Sequence, residues 1–430
     1  MGLVIEGGHL IDPAHGVDGI KDLYVDNNGF VAGVGKAPAG FKANKTIEAQ
    51  GKIVCPGLVD LRVRLREPGL EHKATIESEV HAAVAAGITT LCCPPDTHPV
   101  IDTPAMAQMI QSRAWRFGLA FIHPLGALTQ GLEGRLLTDM EALDEAGCVG
   151  LTNALAPIND TLVMRRALEY AATLDLTVFL HAEDPWLRNS GCVHEGEIGT
   201  RLGLPGIPEA AETVGVARYL ALIEQTGCRA HFCNLSSNRA VTMIAEAIRQ
   251  GLPVSADVTA HHLHLTEHDI GDFNTLCHVR PPLRATQDRK GLRKALKSGV
   301  IGAICSDHQP HEPDAKLAPF AQSEPGISAL ETLLPLTLKL VDEKLLSLPE
   351  AIALLTHKPA EIIGVDTGHL GVGATADICI FDPETRWVLT EDKIASRGHN
   401  TPFLGWEFRG RVTHTLIGGK LVYEQGKTYR

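Results

Sequence analysis

Eight apolar runs, each followed within a loop's length by an amphipathic stretch, constrain this chain more than any other feature. The runs are LVDLRVRL, ITTLCCPP, LAFIHPLG, CVGLTNAL, TVFLHAED, RAHFCNLS, VSADVTAHHL and IGAICSDHQPH, with helical segments such as ATIESEVHAAVAA and TLVMRRALEYAATL behind them. Such alternation is the pattern of βαβ units around a parallel sheet. Eight repeats over roughly 310 residues predict an α/β fold, a (β/α)8 TIM-type barrel with insertions, whose functional residues stand at the C-terminal ends of the strands. Polar residues gather at those positions: Arg62, Arg64, Asp96, His123, Asn153, His181, Asn234, His262 and Asp307.

The two ends of the chain read differently. Residues 1–54 are short alternating strands with a hairpin signal at Asn28-Gly29, and residues 366–430 repeat that character with Gly418-Gly419. One discontinuous domain follows from this, a small β-sandwich built from 1–54 and 366–430 around a barrel at 55–365.

Bulk composition excludes several classes. Of 430 residues, 44% are apolar and 21% charged, which suits a soluble globular chain, and the net charge of −12 without a basic run speaks against nucleic acid or an anionic membrane as partner. No run of 18 apolar residues and no signal-like N-terminus is present, so a cytoplasmic location is expected. The 10 cysteines are scattered without CxxC spacing and read as reduced core residues.

Three strand ends carry groups able to ligate a metal or move protons: HAED at 181–184, AHHLHL at 260–265 and SDHQPH at 306–311. Imidazoles and carboxylates converging from different strands can hold zinc and generate hydroxide near neutral pH. The same histidines can equally cap strands and bond backbone carbonyls.

The segments VCPGLVDLRVRLREPG, GITTLCCPPDTHPVIDTP, VFLHAED, DVTAHHLHLTEHDI, RPPLR, SDHQPH and NTPFLGW...GRVTHTLIGGKLVYEQG follow, in order and over essentially the whole chain, the motifs of the dihydroorotase family. The resemblance implies a zinc-dependent amidohydrolase barrel that interconverts carbamoyl aspartate and dihydroorotate. It also implies a ligand set, and that set is altered here. The His-x-His of the first strand is Arg62 and Arg64, the bridging acid of the fourth is replaced by Asn153, and the sixth-strand His is Asn234. His181 and Asp307, the latter matching the family's proton shuttle, are retained, so two of six ligand positions survive. Arginine has no lone pair to give a metal. At about 4 Å and an effective dielectric of about 20, each guanidinium would repel a divalent ion by several kcal/mol. Zinc, expected in the family, is therefore predicted absent, with no catalytic residue and Asp307 as a vestigial base.

Two fates for the arginines stay open: pairing with Asp307, or pointing to other carboxylates. His231, three residues before Asn234, is expected on the opposite strand face, while His262 and His264 are expected to share one. Arg66 and His311 match residues that hold the substrate carboxylate in the family, but Asp96 and Arg280 replace two asparagines there, so these four are read as vestigial substrate-binding positions. The altered ligands resemble those of noncatalytic dihydroorotase homologues that support aspartate transcarbamoylase. A structural subunit is thus the leading expectation, as a homo-oligomer (dimer) within a larger assembly with the transcarbamoylase catalytic chain. The alternative is an active amidohydrolase, with one metal or none, acting on a cyclic amide through Asp307.

Overall fold

The computed structural model describes residues 2–429. Its centre is a barrel of parallel strands: Leu58–Asp60, Ile88–Cys93, Phe121–Pro124, Leu151–Thr152, Val178–His181, Ala230–Cys233, Val254–Thr259 and Ala303–Cys305. The third strand divides its pairing, Phe121–Pro124 bonding the second strand and Gly126–Ala127 the fourth. Between the first and eighth strands the described residues show no continuous ladder. A single bridge from Val63 to His308 joins them, with Arg64 N donating to His308 O at 3.0 Å and His308 N to Arg62 O at 3.1 Å. Closure thus falls on the segment that carries Arg62 and Arg64 and the one that carries Asp307.

Inside the barrel, Val59, Leu61, Cys92, Leu125, Phe179, Cys233, Ala303 and Cys305 form one buried cluster, joined by Ala360 and Ile363 of the helix His357–Ile363. The surrounding helices bury one stripe each. Asn238–Arg249 buries Ala240, Val241, Ile244 and Ala247, a helical spacing, and Ser237 Oγ caps it by accepting from Ala240 N at 3.0 Å.

The terminal segments form two sheets. Four strands between Gly2 and Glu48 make one, and seven make the other, with Ile53–Pro56 from the N-terminal part paired antiparallel to Ile378–Val388. Leu3, Ile5, Leu23, Val25 and Ile47 of the first pack against Val54, Ile378, Ile380 and Leu416 of the second. Both hairpins read from sequence are present. Gly29 takes φ 87, and a Cβ on it would stand 2.1 Å from Gly418 O, so this contact between hairpin tips requires glycine.

The stretch 395–400, counted with the C-terminal β element in the sequence, instead packs on the barrel. Asn400 Nδ2 donates to Gln309 O at 2.9 Å and Gly326 O at 3.0 Å, while its Oδ1 accepts from His311 N at 2.8 Å. Ser396 Oγ donates to the buried Glu79 at 2.7 Å.

Candidate functional site

At the barrel mouth the chain turns left-handed at Ala154 (φ 49), Asn234 (φ 54) and Asp307 (φ 45), each just past a strand end, and at Arg66 (φ 63), six residues beyond the first strand. Such backbone costs non-glycine residues roughly 1 kcal/mol or more and is kept only where the surroundings impose it. It delivers Asp307 to the arginines. Arg64 Nη1 donates to Asp307 Oδ1 at 3.1 Å, and its Nε donates to Asp96 Oδ2 at 2.7 Å. Arg62 Nε lies 3.1 Å from the same Asp307 oxygen, but off the line of a hydrogen bond. Gln309 Nε2 donates to Asp307 Oδ2 at 3.0 Å.

Charge and burial agree with this pairing. Burial pushes the Arg62 guanidinium down, yet the Asp307 carboxylate, together with Asp96, Asp257 and other neighbouring groups, more than offsets it and the net shift is upward. Asp96 is held below the usual carboxylate range because Arg64 overcomes its burial. Arg66 is pushed down to about 10 by burial and by the neighbouring Arg64 charge.

Arg66 and His311 are turned on each other. Lys73 Nζ donates to His311 Nδ1 at 2.9 Å, leaving Nε2 to donate to Pro325 O at 3.0 Å. Arg66 Nη2 lies 3.1 Å from that Nε2, and Arg66 Nε donates to Pro310 O at 3.0 Å. Arg280 clamps Glu183, with Nε 3.1 Å from each carboxylate oxygen. Burial raises the Glu183 carboxyl, but His181 and Arg280 outweigh it and hold it down at about 2.

Other expected positions bond elsewhere, although Asn153 lines a small cavity with His181 and Arg280. Asn153 faces a loop, its Oδ1 accepting from Thr129 Oγ1 at 2.8 Å and its Nδ2 donating to Leu132 O and Ala156 O. His262 and His264 do not share a strand face, because the strand stops at Thr259 and a 3-10 turn follows. His262 Nε2 donates to Pro282 O at 3.2 Å and His264 Nε2 to Leu336 O at 2.8 Å. His123 lines a surface groove with Trp115 and Phe121 rather than the mouth.

A zinc pair does not fit these residues. One imidazole and one carboxylate remain, both oxygens of that carboxylate are engaged, and two guanidiniums stand where ligands are needed. Space is short as well: two cavities share His181 and Glu183 in their walls, and each admits only about one or two water-sized bodies. That is far below the roughly 300 Å³ of ordinary small-molecule pockets.

One metal-capable group was missed in the sequence, although period-two spacing alone places His231 and Cys233 on one face. The ligand atoms of His231, Cys233 and Asp257 lie within 4.8 Å of one another inside the barrel. His231 Nε2 is 2.9 Å from Asp257 Oδ2 and its Nδ1 2.8 Å from Ser255 Oγ, so both ring nitrogens already have partners. At 0%, 5% and 1% exposure, the three residues could hold an ion but offer a substrate no approach to it.

Sequence comparison decides the family. A dihydroorotase-like protein of Pseudomonas putida is 51% identical over 423 residues, covering 98% of this chain and 99% of that one. The chain belongs to the dihydroorotase-like family. The dihydro-orotase-like family model matches residues 51–240 and the amidohydrolase family model residues 329–423. A dihydroorotase-like protein of Pseudomonas aeruginosa is 49% identical, covering 99% of this chain and 100% of that one. A protein named dihydroorotase from Geobacter metallireducens is 41% identical with the same coverage. In fold the chain matches L-hydantoinase (dihydropyrimidinase) from Arthrobacter aurescens, with a TM-score of 0.89 at 23% identity over 100% of this chain and 97% of that one. The dihydroorotase-like chain therefore has the α/β barrel and β-rich domain of the amidohydrolases.

Proposed function

We propose that this dihydroorotase-like chain is catalytically inactive and serves as a structural subunit of aspartate transcarbamoylase in de novo pyrimidine biosynthesis. It acts in the cytoplasm as a dimer within a larger assembly with the transcarbamoylase catalytic chain. The observation that carries the loss of catalysis is the convergence of Arg62 and Arg64 on Asp307 at 3.1 Å each. A general base so paired has no free oxygen for a substrate proton, and the fixed cations repel the ion that would polarise a substrate carbonyl. A folded barrel freed of chemistry is useful through its surface. The choice of partner rests on the resemblance of the altered ligand positions to those of noncatalytic homologues.

The test is size-exclusion chromatography of the chain mixed with the transcarbamoylase catalytic chain, combined with a dihydroorotase assay on the chain alone. Co-elution as a large complex, with carbamoyl aspartate left unchanged, is expected. Separate elution, or turnover above the uncatalysed rate, counts against the reading.

An active amidohydrolase, with one metal or none and acting on a cyclic amide through Asp307, is the second reading, favoured by relatives named dihydroorotase; the His231, Cys233 and Asp257 group could hold an ion but is closed to substrate. Hydrolysis of a cyclic amide, lost on substitution of Asp307, would establish it.

A further inference from the structure

Three adjacent barrel strands turn ligand-type side chains into one interior. Period-two spacing sets His231 and Cys233 on one face of the sixth strand and Ser255 and Asp257 on one face of the seventh, while Cys305 ends the eighth. The pairing of His231 with Ser255, and of Asp257 with Ala303, brings these faces into register. His231, Cys233 and Asp257 therefore present ligand atoms within 4.8 Å of one another. Cys305 Sγ flanks the same carboxylate, 3.6 Å from Asp257 Oδ1. All four residues are buried, and the two cysteines stand among Val59, Leu61, Leu125 and Phe179.

As thiols, the cysteines gain little there. Cys233 Sγ donates to His231 O at 3.8 Å and Cys305 Sγ to Asn234 Oδ1 at 3.3 Å, and a thiol is a weak donor. Arg62 Nε and Nη2 are buried without a hydrogen-bond partner among the described residues, although the charge and an N–H of Arg62 both act on the Cys233 thiol. A thiolate at Cys233 would accept from that guanidinium. A coordinated metal supplies the thiolate, because it deprotonates a ligating thiol outright.

The donor set selects the ion. Imidazole, thiolate and carboxylate are the ligands of zinc, whereas calcium and magnesium want oxygen. Charge separates this position from the mouth, where one carboxylate faces two arginines. Here two thiolates and one carboxylate bring three negative charges, so a divalent ion leaves one over, opposite Arg62. Ser255 Oγ, 2.8 Å from His231 Nδ1, orients the ring as a second partner does in metal sites.

We propose that the barrel interior holds one structural zinc ion, bound by His231 Nε2, Cys233 Sγ, Asp257 and Cys305 Sγ, which ties the sixth, seventh and eighth strands together. Each thiol releases one proton on binding. The proton that His231 Nε2 gives to its bond with Asp257 Oδ2 moves to Nδ1, where Ser255 Oγ accepts it. This is not the zinc position that the family resemblance implies, since that position on the sixth strand is Asn234.

Zinc itself is the probe. The full chain, grown with added zinc and purified without chelator, should carry one zinc per chain by mass spectrometry. X-ray absorption at the zinc edge should show two sulfurs at about 2.3 Å with nitrogen and oxygen at about 2.0 Å. Cys233→Ser, folded by circular dichroism, should lose most of the metal; if that variant does not fold, the sulfur shell of the unaltered chain decides. Metal-free folded protein, a shell of nitrogen and oxygen alone, or full zinc in Cys233→Ser would overturn the proposal. These readouts depend neither on turnover nor on a partner chain.

Discussion

Arg64 reaches Asp307 across the seam where the first and eighth strands meet, donating from Nη1 to Oδ1 at 3.1 Å with both side chains buried. The two arginines and Asp307 are thus part of barrel closure. Breaking a buried pair by removing one partner costs roughly 3–5 kcal/mol, because a charge is left uncompensated, whereas replacing the whole group by apolar side chains is often neutral or stabilising. Asp307→Asn, which strands Arg62 and unbalances Arg64, is therefore expected to destabilise by ~3 kcal/mol in equilibrium urea unfolding. The triple variant Arg62→Met, Arg64→Met, Asp307→Leu is expected to recover most of that loss. A triple variant weaker than Asp307→Asn alone would argue that the arginines act through other partners.

Under the function proposed above, imidazoles at positions 62 and 64 alone are not expected to make a working zinc enzyme. Arg62→His with Arg64→His still leaves Asn234, an amide, at the end of the sixth strand and Asn153 bonded to Thr129, Leu132 O and Ala156 O. Two preorganised ligands are still missing from a zinc cage. The double variant, dialysed against zinc, is expected to retain no more metal than the unaltered chain and to leave dihydroorotate unhydrolysed.

The barrel was legible because hydrophobic period changes sharply from 2 to 3.6 at each strand–helix boundary, and the terminal hairpins because Asn28-Gly29 and Gly418-Gly419 are turn chemistry. What escaped depended on irregular backbone. Alternation carried past Thr259 put His262 and His264 on one face, but the strand ends there and the two rings bond different neighbours. Residues 395–400 have no periodicity to mark them as a barrel strap, and their bond to Glu79 spans 317 positions of sequence. Glu183 was visible only as part of HAED. Its role as the anchor of Arg280 arises from a contact 97 residues away.

Buried histidines make the fold acid-sensitive. Burial lowers His262 to about 4, His264 to about 3, His278 to about 4 and His311 to about 2, with Arg66 and Lys73 assisting at His311. Each folded-state value lies below the unfolded one of about 6.5, so the unfolded chain binds more protons between them. Their stabilisation is complete above pH 6.5 and is lost as pH falls, by up to ~1.4 kcal/mol per pH unit for each ring. Urea midpoints should therefore drop steeply from pH 6.5 to 5. His264→Gln, which can still donate to Leu336 O, should reduce the slope by about one proton; an unchanged slope would mean that His264 is charged in the folded state.

Glu79 joins three elements at the seam. Its Oε2 lies 2.7 Å from His308 Nε2 and accepts from Ser396 Oγ, and its Oε1 accepts from Ser78 Oγ and from Arg397 N. Because Ala329 N donates to His308 Nδ1 at 3.0 Å, the Nε2 of that ring carries the proton that Glu79 receives. Despite burial, His308 holds the Glu79 carboxyl below its usual range, so the group is a carboxylate accepting from every side. Glu79→Gln sets an amide N–H₂ against donors and removes the charge that both flanking elements share. A loss of ~2–3 kcal/mol is expected. The discriminating measurement is amide hydrogen exchange: residues 395–400, tied to the barrel through Glu79, Glu331 and Asn400, should lose protection before the terminal sheets do. Uniform loss across the chain would show that Glu79 supports the barrel as a whole rather than the strap.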